Sequence, residues 1–152
     1  MVRIGVLSDT HMRSFGEMPQ EIVKAFSDMD LIIHAGDFTG LEILEGLKQL
    51  GEVKAVRGNM DSSELRVILP ENELIVIGSR RIGVTHGAGS PWRTERRIKE
   101  MFDEVDIIIY GHTHEAKNEM IGDVLFFNPG PGKKSYGILT VGDSVTGEII
   151  KL

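Results

Sequence analysis

Val2–Leu7, Leu31–Ala35, Val53–Val56, Arg81–Thr85 and Asp106–Tyr110 are short runs rich in β-branched residues, and several are apolar at consecutive positions. A strand with one wet face alternates apolar and polar side chains, so continuous apolarity demands cover on both faces. Helical patterns lie between these runs. The clearest is Gly40–Leu50, where Thr39 and Glu42 have capping-box spacing, Leu44, Leu47 and Leu50 repeat on one side, and Gly51 stops the pattern. A second runs through Ile22, Val23 and Phe26, and a third starts at Ser90-Pro91 and turns Ile98, Met101 and Phe102 inward. The last third reads as strands alone: Ala116–Ile121, Val124–Asn128, Tyr136–Val141 and Val145–Ile150, with hairpin turns at Gly122-Asp123 and Gly142-Asp143-Ser144. A β-α front and a meander at the back predict an α/β (α+β) chain. Its expected form is a single domain over residues 1–152, two packed mixed β-sheets flanked by helices in a four-layer αββα sandwich.

At 152 residues the chain has the size of one domain, large enough to bury roughly 68–70% of its unfolded surface. With 23 acidic against 17 basic side chains the net charge is -6, which argues against a general nucleic-acid or membrane-surface binder. A small anionic substrate stays compatible, because a bound metal reverses the sign of a local field. There is no cysteine, so any metal must take nitrogen and oxygen ligands. Met1–Leu7 enters a strand pattern without a signal-peptide profile, and no apolar run approaches the roughly 20 residues of a membrane span. The expected location is cytoplasmic.

All five histidines follow strand patterns. His11 stands in Ser-Asp-Thr-His after the first, His34 ends the second, His86 ends the run at 81–85, and His112 and His114 follow the run at 106–110 in Gly-His-Thr-His. Asp37 and Asn59 occupy equivalent places after the second and third strands. Metal-capable side chains are thus delivered to the carboxyl edge of a sheet, where ligands bind in open α/β folds. Asp9 with His11, and His112 with His114, are spaced to project to the same side of an extended segment. Two carboxylates, one amide and four imidazoles are too many for one tetrahedral ion and suit two ions sharing a carboxylate.

Ser-Asp-Thr-His, Gly-Asp at 36–37, Gly-Asn at 58–59, His-Gly at 86–87 and Gly-His-Thr-His, in that order, resemble the calcineurin-like metallophosphoesterase superfamily. The compact length and Arg-Gly-Asn-Met-Asp resemble its small branch, which includes bacterial and archaeal phosphodiesterases and the metallophosphoesterase-like retromer subunit. The resemblance implies Asp9, His11 and His114 on one ion, Asn59, His86 and His112 on the other, and Asp37 bridging them. Asp37, Asn59 and His112 are thereby the catalytic candidates. The implied cofactors are two divalent transition-metal ions, manganese, nickel, iron, zinc or cobalt, with manganese or nickel favoured. Two such ions, set against two carboxylates and a bridging hydroxide, leave the site near about +1 to meet a phosphate. The implied reaction is in-line attack on a small phosphate ester by that hydroxide, the Asn59 amide helping to stabilise charge on the equatorial oxygens. The rival is a metal-binding scaffold or protein-interaction module of the same fold; the presence of all seven ligands favours the enzyme.

One departure concerns the leaving group. Many members of the superfamily have His directly after the Asn; here Met60 stands there, and a thioether donates no proton. General acid help is typically worth 10²–10⁴-fold, so slower turnover biased to good leaving groups is expected. Ala88 and Pro131 replace a His and a Ser of many relatives. Outside the ligands, His34 reads as a packed or supporting residue and Asp61 as a residue that orients a ligand histidine. Trp92 reads as cover for the site or a contact at a helix start. Arg93, Arg96, Arg97 and Lys99 read as a solvated helix face, with phosphate contact by Arg93 the sharper alternative. Met29, Met101 and Met120 read as core filler.

Overall fold

A computed structural model describes residues 1–89 and 92–152. Five strands arise where the five apolar runs predict them: β1 Val2–Leu7, then β2 Leu31–His34 after α1 (Gln20–Phe26), then β3 Val53–Ala55 after α2 (Leu41–Leu50), then β5 (Arg80–Thr85) and β6 (Ile107–Ile109). Between β3 and β5 lie α3 (Ser63–Ile68) and β4 (Asn72–Ile77), neither of which is among the elements expected from the sequence. The chain continues through α4 (Thr94–Lys99), β6 (Ile107–Ile109), β7 (Lys117–Ile121), β8 (Val124–Asn128), β9 (Ser135–Val141) and β10 (Val145–Lys151).

The strands form two mixed five-stranded sheets, ordered β10-β9-β1-β2-β3 and β4-β5-β6-β8-β7. The expected αββα sandwich is present. The four carboxyl-terminal strands are not one meander, however. They are two hairpins, β7-β8 in one sheet and β9-β10 in the other, because β8 runs parallel to β6 while β9 pairs antiparallel with β1. Gly122-Asp123 and Gly142-Asp143-Ser144 do join those hairpins.

Consecutive apolar residues now have a cause. On β1, Ile4 and Val6 face the other sheet, packing with Ile33, Ile82, Val84, Ile107, Ile109 and Phe127. Leu7, with Ile32 of β2, belongs to the layer holding Ile22, Phe26, Leu44 and Leu47 of α1 and α2. On the opposite side Ile98 of α4 packs with Ile108, Tyr110 and Phe126. Both sheets are therefore covered twice, and their parallel strands all direct carboxyl ends to one edge.

Two sequence readings need correction. The helix over 41–50 starts at Gly40 with no side-chain cap. Thr39 sits at φ 109° and its N–H is directed to Asp61, so the Thr39–Glu42 box does not form; Glu42 instead accepts from the Phe15 N–H at 3.2 Å. Met29 is core, but Met101 lies past the end of α4 and Met120 on an edge strand, 45% and 59% exposed. The Ser90-Pro91 start of the third helical pattern lies outside the described residues.

Candidate metal centre

Loops at the carboxyl ends of β1, β2, β5 and β6 bring Asp9, His11, Asp37, His86 and His114 together. Ligand atoms of Asp9, His11 and His114 lie within 4.8 Å of one another, and so do those of Asp9, Asp37 and His86. The Asp37 Oδ2 stands between two imidazoles, 3.1 Å from the His86 Nε2 and 3.7 Å from the His11 Nε2. The Asp9 Oδ1 is 3.3 Å from the His114 Nε2 and 3.8 Å from the His86 Nε2. Asn59 and His86 line a cavity beside the cluster, and the His112 ring meets that of His86 edge-on at 5.2 Å.

The remaining atoms of these side chains are already engaged. Ser8 Oγ and the His112 N–H donate to the Asp9 Oδ2 at 2.6 and 3.0 Å, and the Met60 N–H donates to the Asp37 Oδ1 at 2.7 Å. The His86 Nδ1 donates to the Ala35 carbonyl at 2.8 Å, which leaves the Nε2 lone pair facing the carboxylates. The His112 Nε2 likewise donates to the Gly89 carbonyl at 3.3 Å.

What is left over points inward. Asp9 Oδ1, His11 Nε2 and His86 Nε2 are buried with no hydrogen-bond partner. Such atoms are uncommon in folded proteins and cost about 1–3 kcal/mol each unless something binds them. Three of them converging, with carboxylate and imidazole chemistry, fit a divalent transition ion. Burial would raise the Asp37 pKa and lower that of His86. Their mutual contact outweighs burial, so Asp37 is held below and His86 above the usual range. A divalent ion held there would compete with the proton for the His86 Nε2.

The backbone is strained at the same place. Asp9, His11, Asp37, His112 and His114 all have φ between 45° and 70°. Non-glycine residues adopt this region at a cost of about 1–3 kcal/mol each, and only where surroundings over-determine it. Those surroundings can be named. Asp61 accepts the Phe38 and Thr39 N–H groups on Oδ1 (2.7 and 3.5 Å) and the Gly58 and Asp37 N–H groups on Oδ2 (2.8 and 3.0 Å). It orients the Asp37 loop rather than a histidine. Asn128, fully buried, donates to the Gly111 carbonyl and to Thr113 Oγ1, fixing the segment of His112 and His114. Arg97 donates to the Gly87 and Ala88 carbonyls at 3.3 and 2.9 Å, so it braces the loop after His86 instead of facing solvent. Arg93 is exposed at the start of α4 and does not line the cavity beside His86; Trp92 is 81% exposed.

His34 is buried and stacks on Phe38 with ring centroids 3.6 Å apart. Its Nδ1 accepts from the Gly36 N–H, so the neutral ring offers Nε2–H to Thr10 Oγ1. Burial pushes its pKa down to about 3. Unfolded chains protonate the ring near about 6.5, so stability falls as pH drops from there toward 3. His34→Gln is expected to flatten the fall in urea-denaturation stability of the metal-free protein between pH 6.5 and 4. The same slope in both proteins would refute this.

The family model of the calcineurin-like phosphoesterase superfamily domain matches residues 2–143. This chain belongs to that superfamily. A probable metallophosphoesterase of Methanocaldococcus jannaschii is 40% identical, over 98% of this chain and 81% of its own length. A phosphodiesterase of the same organism is 32% identical, over 85% and 83%. The zinc complex of Vps29 from Entamoeba histolytica superposes with a TM-score of 0.79 at 27% identity, covering 98% of each chain. Superfamily membership supports hydrolase activity in general and the use of divalent metals. Among the described residues, no helix is long and apolar enough to cross a membrane.

Proposed function

We propose that this protein is a phosphodiesterase dependent on two divalent transition-metal ions. The observation that carries the reading is the convergence of the three unpartnered buried atoms of Asp9, His11 and His86 on the Asp37 carboxylate. Asp9, His11 and His114 would hold one ion, and Asn59, His86 and His112 the other. Asp37, already between His11 and His86, would serve both. Two bound ions supply a nucleophile at neutral pH and neutralise phosphate charge.

The chain's own residues do the rest. Strained loops hold the ligands before substrate arrives, so little reorganisation is needed on binding. Asn59 lines the neighbouring cavity, so its amide would be available to a phosphate oxygen there. At Met60 it is the backbone N–H that orients Asp37, while the thioether projects outward, 60% exposed, with no proton to give a leaving group. Good leaving groups are therefore favoured. A small phosphate diester, in a cytoplasmic setting, is the substrate class that fits.

The test is hydrolysis of bis(para-nitrophenyl) phosphate with manganese or nickel, comparing wild type with Asp37→Ala and His112→Ala. Both variants are expected to fall at least about 100-fold. Metal-loaded wild type no faster than the variants would leave a scaffold role, in line with the Vps29 similarity.

A further inference from the structure

A cavity of about 480 Å³ opens beside the candidate metal centre, with His86 and Asn59 among the residues that line it. Its volume is that of a site for a nucleoside-sized group. Thr85, Ala88 and Met101 contribute to a wall of mixed polar and apolar character. Arg57 and Arg66 line it as well, with Glu71 as the lining carboxylate.

The two guanidiniums are held by main-chain carbonyls rather than by acids. The Arg57 Nη1 donates to the Arg66 and Leu69 carbonyls at 3.0 and 3.3 Å. The Arg66 Nη2 donates to the carbonyl of Asn59 at 3.4 Å, tying the arginine to the segment that carries a ligand candidate. Glu71 is 3.9 Å from the Arg57 Nη2, beyond hydrogen-bond range, and its side chain is 77% exposed, so the pair holds little energy. Two oriented forks thus face one loosely placed carboxylate. In a chain of net charge -6 this is a locally positive cavity, whose planar donors match phosphate oxygens in pairs.

We propose that this cavity binds one of the two groups esterified to the scissile phosphate, and that Arg57 and Arg66 select a group carrying a second phosphate. The substrate class is a phosphodiester of a phosphorylated, nucleoside-sized alcohol. This inference rests on the phosphodiesterase reading of the adjoining centre.

The experiment compares two chromogenic diesters with the metal-loaded protein: thymidine 5′-(para-nitrophenyl phosphate), and the same compound with a 3′-phosphate. The phosphorylated diester is expected to be preferred about tenfold or more in kcat/KM, chiefly through KM, as charge-assisted hydrogen bonds to phosphate imply. Arg66→Gln is expected to bring that ratio toward one, and Glu71→Gln to raise it by removing the competing anion. In parallel, calorimetry on metal-free protein compares thymidine 3′,5′-bisphosphate with the 5′-monophosphate. Tighter bisphosphate binding that Arg66→Gln abolishes supports the cavity assignment even if neither diester is hydrolysed, a result that would defeat only the enzyme reading. Equal hydrolysis of both diesters, or a preference untouched by both variants, would overturn the assignment and leave the enzyme standing.

Discussion

Asp61→Ala is expected to cost about 3–5 kcal/mol of stability and to abolish tight metal binding. Asp61 is 7% exposed, and its two oxygens collect four backbone N–H groups from the Asp37 and Gly58 segments. Hydrogen bonds to a charged acceptor are worth about 1.5–3 kcal/mol each but are not additive, and the donors left behind are partly rehydrated. In a chain of 152 residues this corresponds to a fall in Tm on the order of 10 °C. Asp61→Asn keeps one acceptor oxygen and should lie between wild type and Asp61→Ala. A purely structural carboxylate would lower Tm without moving the metal affinity of the folded protein. Titration with manganese well below Tm separates the two, and an unchanged affinity in Asp61→Ala would refute the positioning role.

Gly58→Ala should be nearly as damaging to activity while changing a single hydrogen into a methyl. A Cβ at Gly58 would overlap both the Asp37 Oδ1 and the Asp37 backbone nitrogen. The carboxylate could rotate away, but the backbone cannot, so the strained turn at Asp37 must shift. Overpacking of this kind costs about 1–3 kcal/mol. Displacement of a reacting group by about 1 Å costs on the order of 100-fold in rate. Diester hydrolysis is therefore expected to fall about 100-fold with Tm only a few degrees lower. Gly40→Ala is the control, because nothing lies within 4 Å of the point where its Cβ would stand. Hydrolysis by Gly58→Ala equal to that of Gly40→Ala would contradict the steric account.

Much of this architecture is visible in local chemistry. Runs such as Ile4–Leu7 and Leu31–Ile33 are apolar on both faces because each strand is packed between a sheet and helices. The strand ends of those runs mark where Asp9, Asp37 and His86 emerge. β4 is the converse case: Leu74–Ile77 is as continuously apolar as the covered strands, yet β4 lies at a sheet edge with Ile75 buried and Leu74 and Val76 exposed, and α3 likewise turns Val67 and Ile68 outward, so apolar residues alone do not report cover. The β7-β8 and β9-β10 turns are readable from Gly-Asp pairs, but a turn does not tell a hairpin which sheet to join.

The sequence by itself determined the covered strands, the nitrogen-and-oxygen character of the site and the residues offered at the strand ends, since these depend on residue type and short-range period. Only the tertiary structure decided which atoms of those residues remain free. Asp61, Asn128 and Arg97 bond backbone groups distant in the chain, and their spacing in sequence carries no trace of that. Hydrogen bonding is saturable: once Ser8, Met60 and Ala35 have taken one side of Asp9, Asp37 and His86, the opposite atoms are left to face one another. That leftover set, and not the presence of histidines and aspartates, is what makes this edge of the sheets fit divalent metal.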